Sequence, residues 1–181
     1  TWEHYKNPEH RTVLKIDPGM AFGTGGHATT RLCLETLENY ITPQTELLDL
    51  GCGSGILSIA SLLLGAKRAV GVDIDPLAVK TALENGALNG FTPPRYTILE
   101  GNLTDRVHER FDVVAANIVA DVIISFCPQV KNYMKPGASF ITSGIIDTRE
   151  QDVLRAFAEN GLQVCSRKES GGWLSFVCTA D

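Results

Sequence analysis

Pairs of cysteines are what this chain lacks first. Its five, Cys33, Cys52, Cys127, Cys165 and Cys178, are widely spaced, and no C-x-x-C occurs. That pattern argues against a zinc site or a disulfide framework. It fits reduced thiols in a cytosolic protein, mostly buried as small hydrophobes. Long apolar runs are missing too: the longest, residues 56–64, is interrupted by Ser58 and Ser61 and is too short to cross a bilayer. Residues 1–6 lack the basic-then-apolar order of a signal peptide. There is no initiator Met, so further residues are expected upstream. An excess of positive charge is also absent. With 16 Lys and Arg against 21 Asp and Glu, the net charge is -5. Such a surface is a poor general binder of nucleic-acid phosphates and repels a lysine-rich protein less. No repeat, low-complexity run or charge block interrupts the 181 residues, and 44% of them are hydrophobic. One domain with a core that needs no staple is expected.

Strand-like and helix-like segments alternate, the pattern of an α/β sheet. The apolar patterning predicts strands at 46–50, 68–73, 96–99, 111–116, 139–143, 162–168 and 174–179, with a short one at 13–17. Helices are expected over 28–40, 56–64, from Asp75-Pro76 to about Gly90, over 119–133, and from Asp147 to about Gly161. Pro136-Gly137 reads as the turn into the fifth core strand. Ser170-Gly171-Gly172-Trp173 joins the last two strands as a hairpin, so one strand of an otherwise parallel sheet runs antiparallel. Residues 18–27, PGMAFGTGGH, are too rich in glycine for anything but a loop. Residues 1–46 thus form an N-terminal segment of loop and entry helix, and 47–181 the core of the same domain.

The strongest constellation is LLDLGCGSG, residues 47–55, at the end of the first core strand. Gly51, Gly53 and Gly55 allow a sharp turn and leave room for a ligand against the backbone. The next helix then presents free N–H groups. Ile stands at position 56, where a dinucleotide fingerprint G-x-G-x-x-G requires glycine, so the turn fits a ligand without a pyrophosphate. Asp73 closes the following strand, where an acid accepts hydrogen bonds from ribose hydroxyls. Asp75 reads as a helix cap. Asn102, after the third strand, is placed either to meet an adenine edge or simply to make a turn with Gly101. Asn117 follows the fourth strand and either orients an amine substrate or caps the next helix. Its neighbours at adjacent strand ends favour the first role.

Together these residues, over about 47–179, resemble class I S-adenosylmethionine-dependent methyltransferases. DPGMAFGTGGHATT, residues 17–30, with LDLGCGSGILSIA, GVDIDPLAV and VVAANIVA, is similar to the bacterial ribosomal protein L11 methyltransferases. Members of that family commonly carry Thr and Pro where this chain has Gly26 and Ala28.

The resemblance implies a Rossmann-like α/β fold: a mostly parallel seven-stranded sheet, helices on both faces, and an antiparallel strand in a C-terminal hairpin. It implies that Phe22, Gly23, Thr24 and Gly25 fold over S-adenosyl-L-methionine and that Thr30 meets its methionine end. It places Gly51, Gly53, Ile74 and Asn102 against the cofactor, Asp73 on the ribose, and Asn117 at the transfer site as both cofactor contact and catalytic residue. Gly23, Gly25 and Gly26 suit a loop that closes as a lid and excludes water. His27 is open to a role as base, although a lone loop histidine is more often structural. No metal is implied.

The implied reaction is methylation of lysine or N-terminal amines on a large-subunit ribosomal protein in the cytoplasm. The family docks that protein through an additional N-terminal domain, and residues 1–16 are too few to form one. Neither membrane attachment nor strong nucleic-acid binding is expected. The rival readings are methylation of another protein, a nucleic acid or a small molecule, and cofactor binding without catalysis.

Overall fold

Strands buried on both faces need helices on both sides, and the apolar runs found in the sequence meet that condition. The computed structural model describes residues 12–17 and 25–180. The chain runs α1 (Ala28–Leu37), β1 (Glu46–Leu50), α2 (Ile56–Leu63), β2 (Arg68–Asp73), α3 (Pro76–Leu88) and β3 (Tyr96–Glu100). It continues through β4 (Phe111–Asn117), α4 (Ala120–Val130), β5 (Met134–Ile146), α5 (Glu150–Glu159), β6 (Leu162–Ser170) and β7 (Trp173–Ala180). The seven strands form one sheet in the order β3-β2-β1-β4-β5-β7-β6. All neighbouring pairs are parallel except those made by β7, which runs antiparallel to both β5 and β6.

Alternation along each strand divides the core. Leu47, Val113, Ala115 and Ile141 pack with Cys33 and Leu37 of α1 and Leu57, Ile59 and Leu62 of α2. Leu48, Leu50, Val114, Ala116 and Phe140 face the other side, against Ile123 and Phe126 of α4 and Val153 and Phe157 of α5. On that side Phe140, Phe157 and Phe176 meet edge to face at centroid separations of 6.3 and 5.9 Å. Removing one such buried ring costs about 3–5 kcal/mol.

Local expectations hold where turn and cap chemistry set them. Asp75 caps α3, accepting from the Leu77 N–H at 2.9 Å, with Pro76 in the first turn. Gly171 and Gly172, at φ of 59° and 78°, make the two-residue turn of the β6–β7 hairpin. Three expectations need correction. Helix α1 ends at Leu37, because the following turns tighten to Asn39 N–H donating to the Thr36 carbonyl and Tyr40 N–H to that of Leu37. Pro136-Gly137 lies inside β5, in an irregularity where Phe111 pairs with Met134 but Val113 with Ser139. Residues 13–17 form no strand. They are held extended by two asparagines one turn apart, Asn85 on α3 and Asn89 as its C-cap: Asn89 donates to the Lys15 carbonyl (2.6 Å) and accepts from its N–H (3.0 Å). Asn85 does the same for Asp17, at 3.0 and 2.8 Å. The i,i+4 spacing on a helix matches the two-residue repeat of extended chain, so side-chain amides take the place of a neighbouring strand.

The two ends of the sheet differ in character. At the N-terminal end of β1, Glu46 lies within 2.8 Å of Lys67 and 2.9 Å of Lys135, and Lys135 also reaches Asp112 at 2.9 Å. These cations pull the Glu46 carboxyl down to about 2. The C-terminal ends of β1, β2 and β4 open instead into loops around a cleft.

Candidate functional site

The cleft begins at the turn after β1. Gly51, Gly53 and Gly55 adopt φ of 66°, 53° and 79°, a region closed to most side chains. The turn is tied to β2 by Gly51 and Cys52, whose N–H groups both donate to the Val72 carbonyl, at 2.8 and 3.0 Å. Gly55, as the residue before α2, has no side chain with which to cap the helix. Asp49 supplies the cap from β1: its Oδ2 accepts from the Ser58 N–H at 3.1 Å and the Ser58 hydroxyl at 2.8 Å. The carboxyl of Asp49 is fully buried yet lines the cleft. Burial pushes its pKa up from 3.8 to about 6, against the opposing pull of Ser58.

That shift has a measurable consequence. Between about pH 4 and 6 the unfolded chain has lost a proton that folded Asp49 retains, so stability falls as pH rises across that window. A difference of about two units corresponds to about 3 kcal/mol. In urea titrations from pH 4 to 7, Asp49→Asn is expected to flatten this part of the stability profile; an unchanged profile would place the titration elsewhere.

Asp73 stands opposite the turn at the end of β2. Its Oδ2 accepts from the Gly53 N–H at 2.8 Å and its Oδ1 from the Asp75 N–H at 3.0 Å. Each oxygen therefore keeps lone-pair capacity for another donor. Ile74 beside it is 67% exposed and lines the cleft. On the β3 side, the Asn102 main-chain carbonyl accepts from the Asp105 N–H at 3.2 Å, so its backbone closes the turn. Its side chain makes no hydrogen bond among the described residues and borders the cleft. Leu103 follows at φ of 52°, a strained conformation that brings its side chain into the same wall.

Asn117 ends β4, and its Nδ2 donates to Thr30 Oγ1 at 3.3 Å. It does not cap α4: Val119 holds that position and makes no side-chain cap bond. Thr30 is fully buried in the first turn of α1. His27 is the N-cap of α1, its Nδ1 accepting from the Thr29 N–H at 3.3 Å. The His27 ring meets Trp173 edge-on at 5.1 Å. Gly25 adopts φ of 85° over Ile56, where a β-carbon would lie 3.3 Å from Cδ1. Phe22, Gly23 and Thr24 lie outside the described residues.

The cleft has a volume of about 660 Å³ and is bordered by Thr30, Gly51, Gly53, Asp73, Ile74, Asn102 and Asn117 among the residues singled out from sequence. Asp49, Leu103, Ile118, Val119, Gly144 and Trp173 border it as well, though the motifs did not single them out as site residues. The L-D-L-G spacing was the one available signal for Asp49; Gly144 and Trp173 have none, because β5 and β7 reach the cleft only through sheet order. Among the described residues no three His, Cys, Asp or Glu side chains are placed to hold a metal ion. No helix among them is long and apolar enough to cross a membrane.

Comparison with known proteins agrees with this architecture. A solved structure of a ribosomal protein L11 methylase from Lactobacillus delbrueckii subsp. bulgaricus matches with a TM-score of 0.93 at 31% identity, covering 99% of this chain and 92% of that one. A curated ribosomal protein L11 methyltransferase from Caldicellulosiruptor saccharolyticus is 47% identical over 177 residues, 98% of this chain. One from Pelotomaculum thermopropionicum is 46% identical over the same length. The chain spans 58% and 57% of the length of these two curated relatives. The family model for ribosomal protein L11 methyltransferase (PrmA) matches residues 1–181. With the sheet order, the glycine turn facing Asp73 and Asn117 at the end of β4, this match establishes that the chain belongs to the ribosomal protein L11 methyltransferase family.

Proposed function

We propose that this chain is the catalytic part of a cytoplasmic enzyme that transfers a methyl group from S-adenosyl-L-methionine to lysine or N-terminal amines of a large-subunit ribosomal protein. The observation that carries the reading is one cleft bordered by a carboxylate with acceptor capacity to spare, Asp73 at the end of β2, and by an amide, Asn117 at the end of β4. A volume of about 660 Å³ is ordinary for a small-molecule site, where about 300–1,000 Å³ is usual. The residues suit the cofactor. Asp73 has acceptor capacity for two vicinal hydroxyls, and the exposed side chain of Ile74 with Leu103 offers apolar cover for an aromatic base. Ile56 borders the cleft where a dinucleotide turn would carry glycine, which disfavours a pyrophosphate.

When bound, the cofactor supplies an electrophilic methyl group on a sulfonium. The protein must then present a neutral amine in line with it. A lysine amine has an ordinary pKa of about 10.4, so it must lose a proton before it attacks. Burial beside a cation disfavours the ammonium form. Asn117 Nδ2 is engaged by Thr30, which turns Oδ1 into the free acceptor for the amine N–H groups. Holding the amine this way fixes the direction of its lone pair, and alignment is where most of the rate arises. No side chain is required as general base, and His27 Nδ1 is already committed to the start of α1.

Recognition of the ribosomal protein is assigned to sequence beyond this chain, in the part of the longer relatives that it does not cover. The reduced thiols fit a cytoplasmic setting. The test is to incubate the full-length protein, of which this chain is the catalytic part, with isotopically labelled cofactor and a mixture of ribosomal proteins, then locate label by mass spectrometry. Label on amines of a single large-subunit protein is expected, together with thermal stabilisation by S-adenosylhomocysteine and none by NAD. Label on RNA, or stabilisation by NAD alone, would overturn the reading.

A further inference from the structure

The end of β5 beside the cleft is irregular. Thr142 pairs with Phe176 on β7, but the next pair is Ile145 with Leu174. Ser143 and Gly144 therefore stand opposite the single residue Ser175, a β-bulge. The extra residue reverses the alternation: Phe140 and Ile145, five apart, face the same core, which an unbroken strand forbids. Gly144 adopts φ of 84°, and a β-carbon there would lie 2.5 Å from the Ile118 carbonyl oxygen and 3.1 Å from its nitrogen. The Ile118 N–H donates to the Ser143 carbonyl at 3.1 Å, so the chain just past Asn117 rests directly on the bulge. From there the Ile118 side chain reaches across the cleft floor, its Cγ2 2.5 Å from where a β-carbon on Gly51 would stand.

The geometry points to Gly144 as a positioning residue for the transfer site, acting through the Ile118 backbone next to Asn117. The bulge sets where that backbone lies, and the missing side chain lets the Ile118 carbonyl rest against β5, which fixes how Asn117 is presented to the cleft. A side chain at 144 displaces the peptide away from β5 and toward Gly51. This inference rests on the methyl-transfer reading and deepens it. It assigns to β5 a part in catalysis through the backbone it supports.

Three variants separate contact from strain. Gly144→Ala introduces both the clash and an unfavourable φ. Gly144→Asn keeps the clash but tolerates positive φ better. Gly137→Ala, at φ of 76° with nothing within 4 Å, adds strain alone, far from the cleft on the same strand. Two readouts are taken: methyl transfer to ribosomal proteins together with S-adenosylhomocysteine affinity, and the methyl resonances of Ile118 in isoleucine-labelled protein, assigned through Ile118→Val. Gly144→Ala and Gly144→Asn are both expected to lower kcat by about 30-fold with a smaller loss of cofactor affinity, since misplacement of reacting groups by about 1 Å costs up to about 10²-fold. Both should shift the Ile118 methyl signals, and Gly137→Ala should do neither. Restoration of kcat by Asn would show that φ alone matters and overturn the inference. So would unshifted Ile118 signals in either Gly144 variant, or an equal loss in Gly137→Ala. If Gly144→Ala does not fold, Gly144→Asn supplies the same two readouts. If the unaltered protein methylates no ribosomal protein, the proposed function fails, while the Ile118 signals still decide whether Gly144 places that peptide.

Discussion

Asn117→Ala is expected to lower kcat for methyl transfer by about 10²–10³-fold, the usual loss when one preorganised polar group at a reacting centre is removed. Affinity for S-adenosylhomocysteine should change little. The reason lies in how the side chain is held. Its Nδ2 is bound to Thr30 Oγ1 at 3.3 Å, and Thr30 is itself fully buried in α1. The amide cannot turn over freely, so Oδ1 is presented in one direction. Removing it leaves the amine without an acceptor but leaves the Asp73 end of the cleft intact. Asn117→Asp is a sharper probe, because the carboxylate can only accept from the Thr30 hydroxyl, and its negative charge favours the ammonium form of the amine over the neutral one. Single-turnover rates with labelled cofactor, beside calorimetric affinities, separate the two effects. An Ala variant with kcat within a few fold of the unaltered protein would remove Asn117 from the reacting centre.

Asp73→Ala should act on binding. Two charged hydrogen bonds to a ribose would be lost, and the expected weakening is about 3 kcal/mol, or about 150-fold. The fold should survive. The Gly53 and Asp75 N–H groups lose their acceptor, but Asp73 is only half-buried and water can replace it. Asp73→Asn keeps one acceptor oxygen and should lie between. Calorimetry with S-adenosylhomocysteine is the measurement, and circular dichroism checks the fold. If Ala binds within threefold of the unaltered protein, Asp73 serves only to brace the glycine turn. The two variants are expected to divide cleanly, one affecting rate and the other affinity, because their side chains stand at different strand ends of the same cleft.

Both residues could be found from sequence because each sits where a local rule operates. A polar residue closing an apolar strand marks the carboxyl edge of a parallel sheet, and glycines at 51, 53 and 55 declare a backbone that side chains cannot adopt. The Asp75-Pro76 helix start and the Gly171-Gly172 hairpin were readable for the same reason: caps and turns depend on a few adjacent residues. So was the alternation of strands and helices, which follows from apolar periodicity.

What only the tertiary structure decided depends on residues far apart in the chain. Nothing near Lys15 or Asp17 announces that Asn85 and Asn89 will hold them, so an extended segment looked like a strand. Nothing adjacent to Asp49 tells that the fold sets it under the uncapped start of α2. Gly144 enters the cleft because β5 lies beside β4, and Trp173 because β7 lies beside β5; strand order is a property of the whole sheet. The bulge at Gly144 has no composition of its own. The extra residue interrupts the ladder with β7 locally, and in return it turns Ile145 into the core beside Leu174.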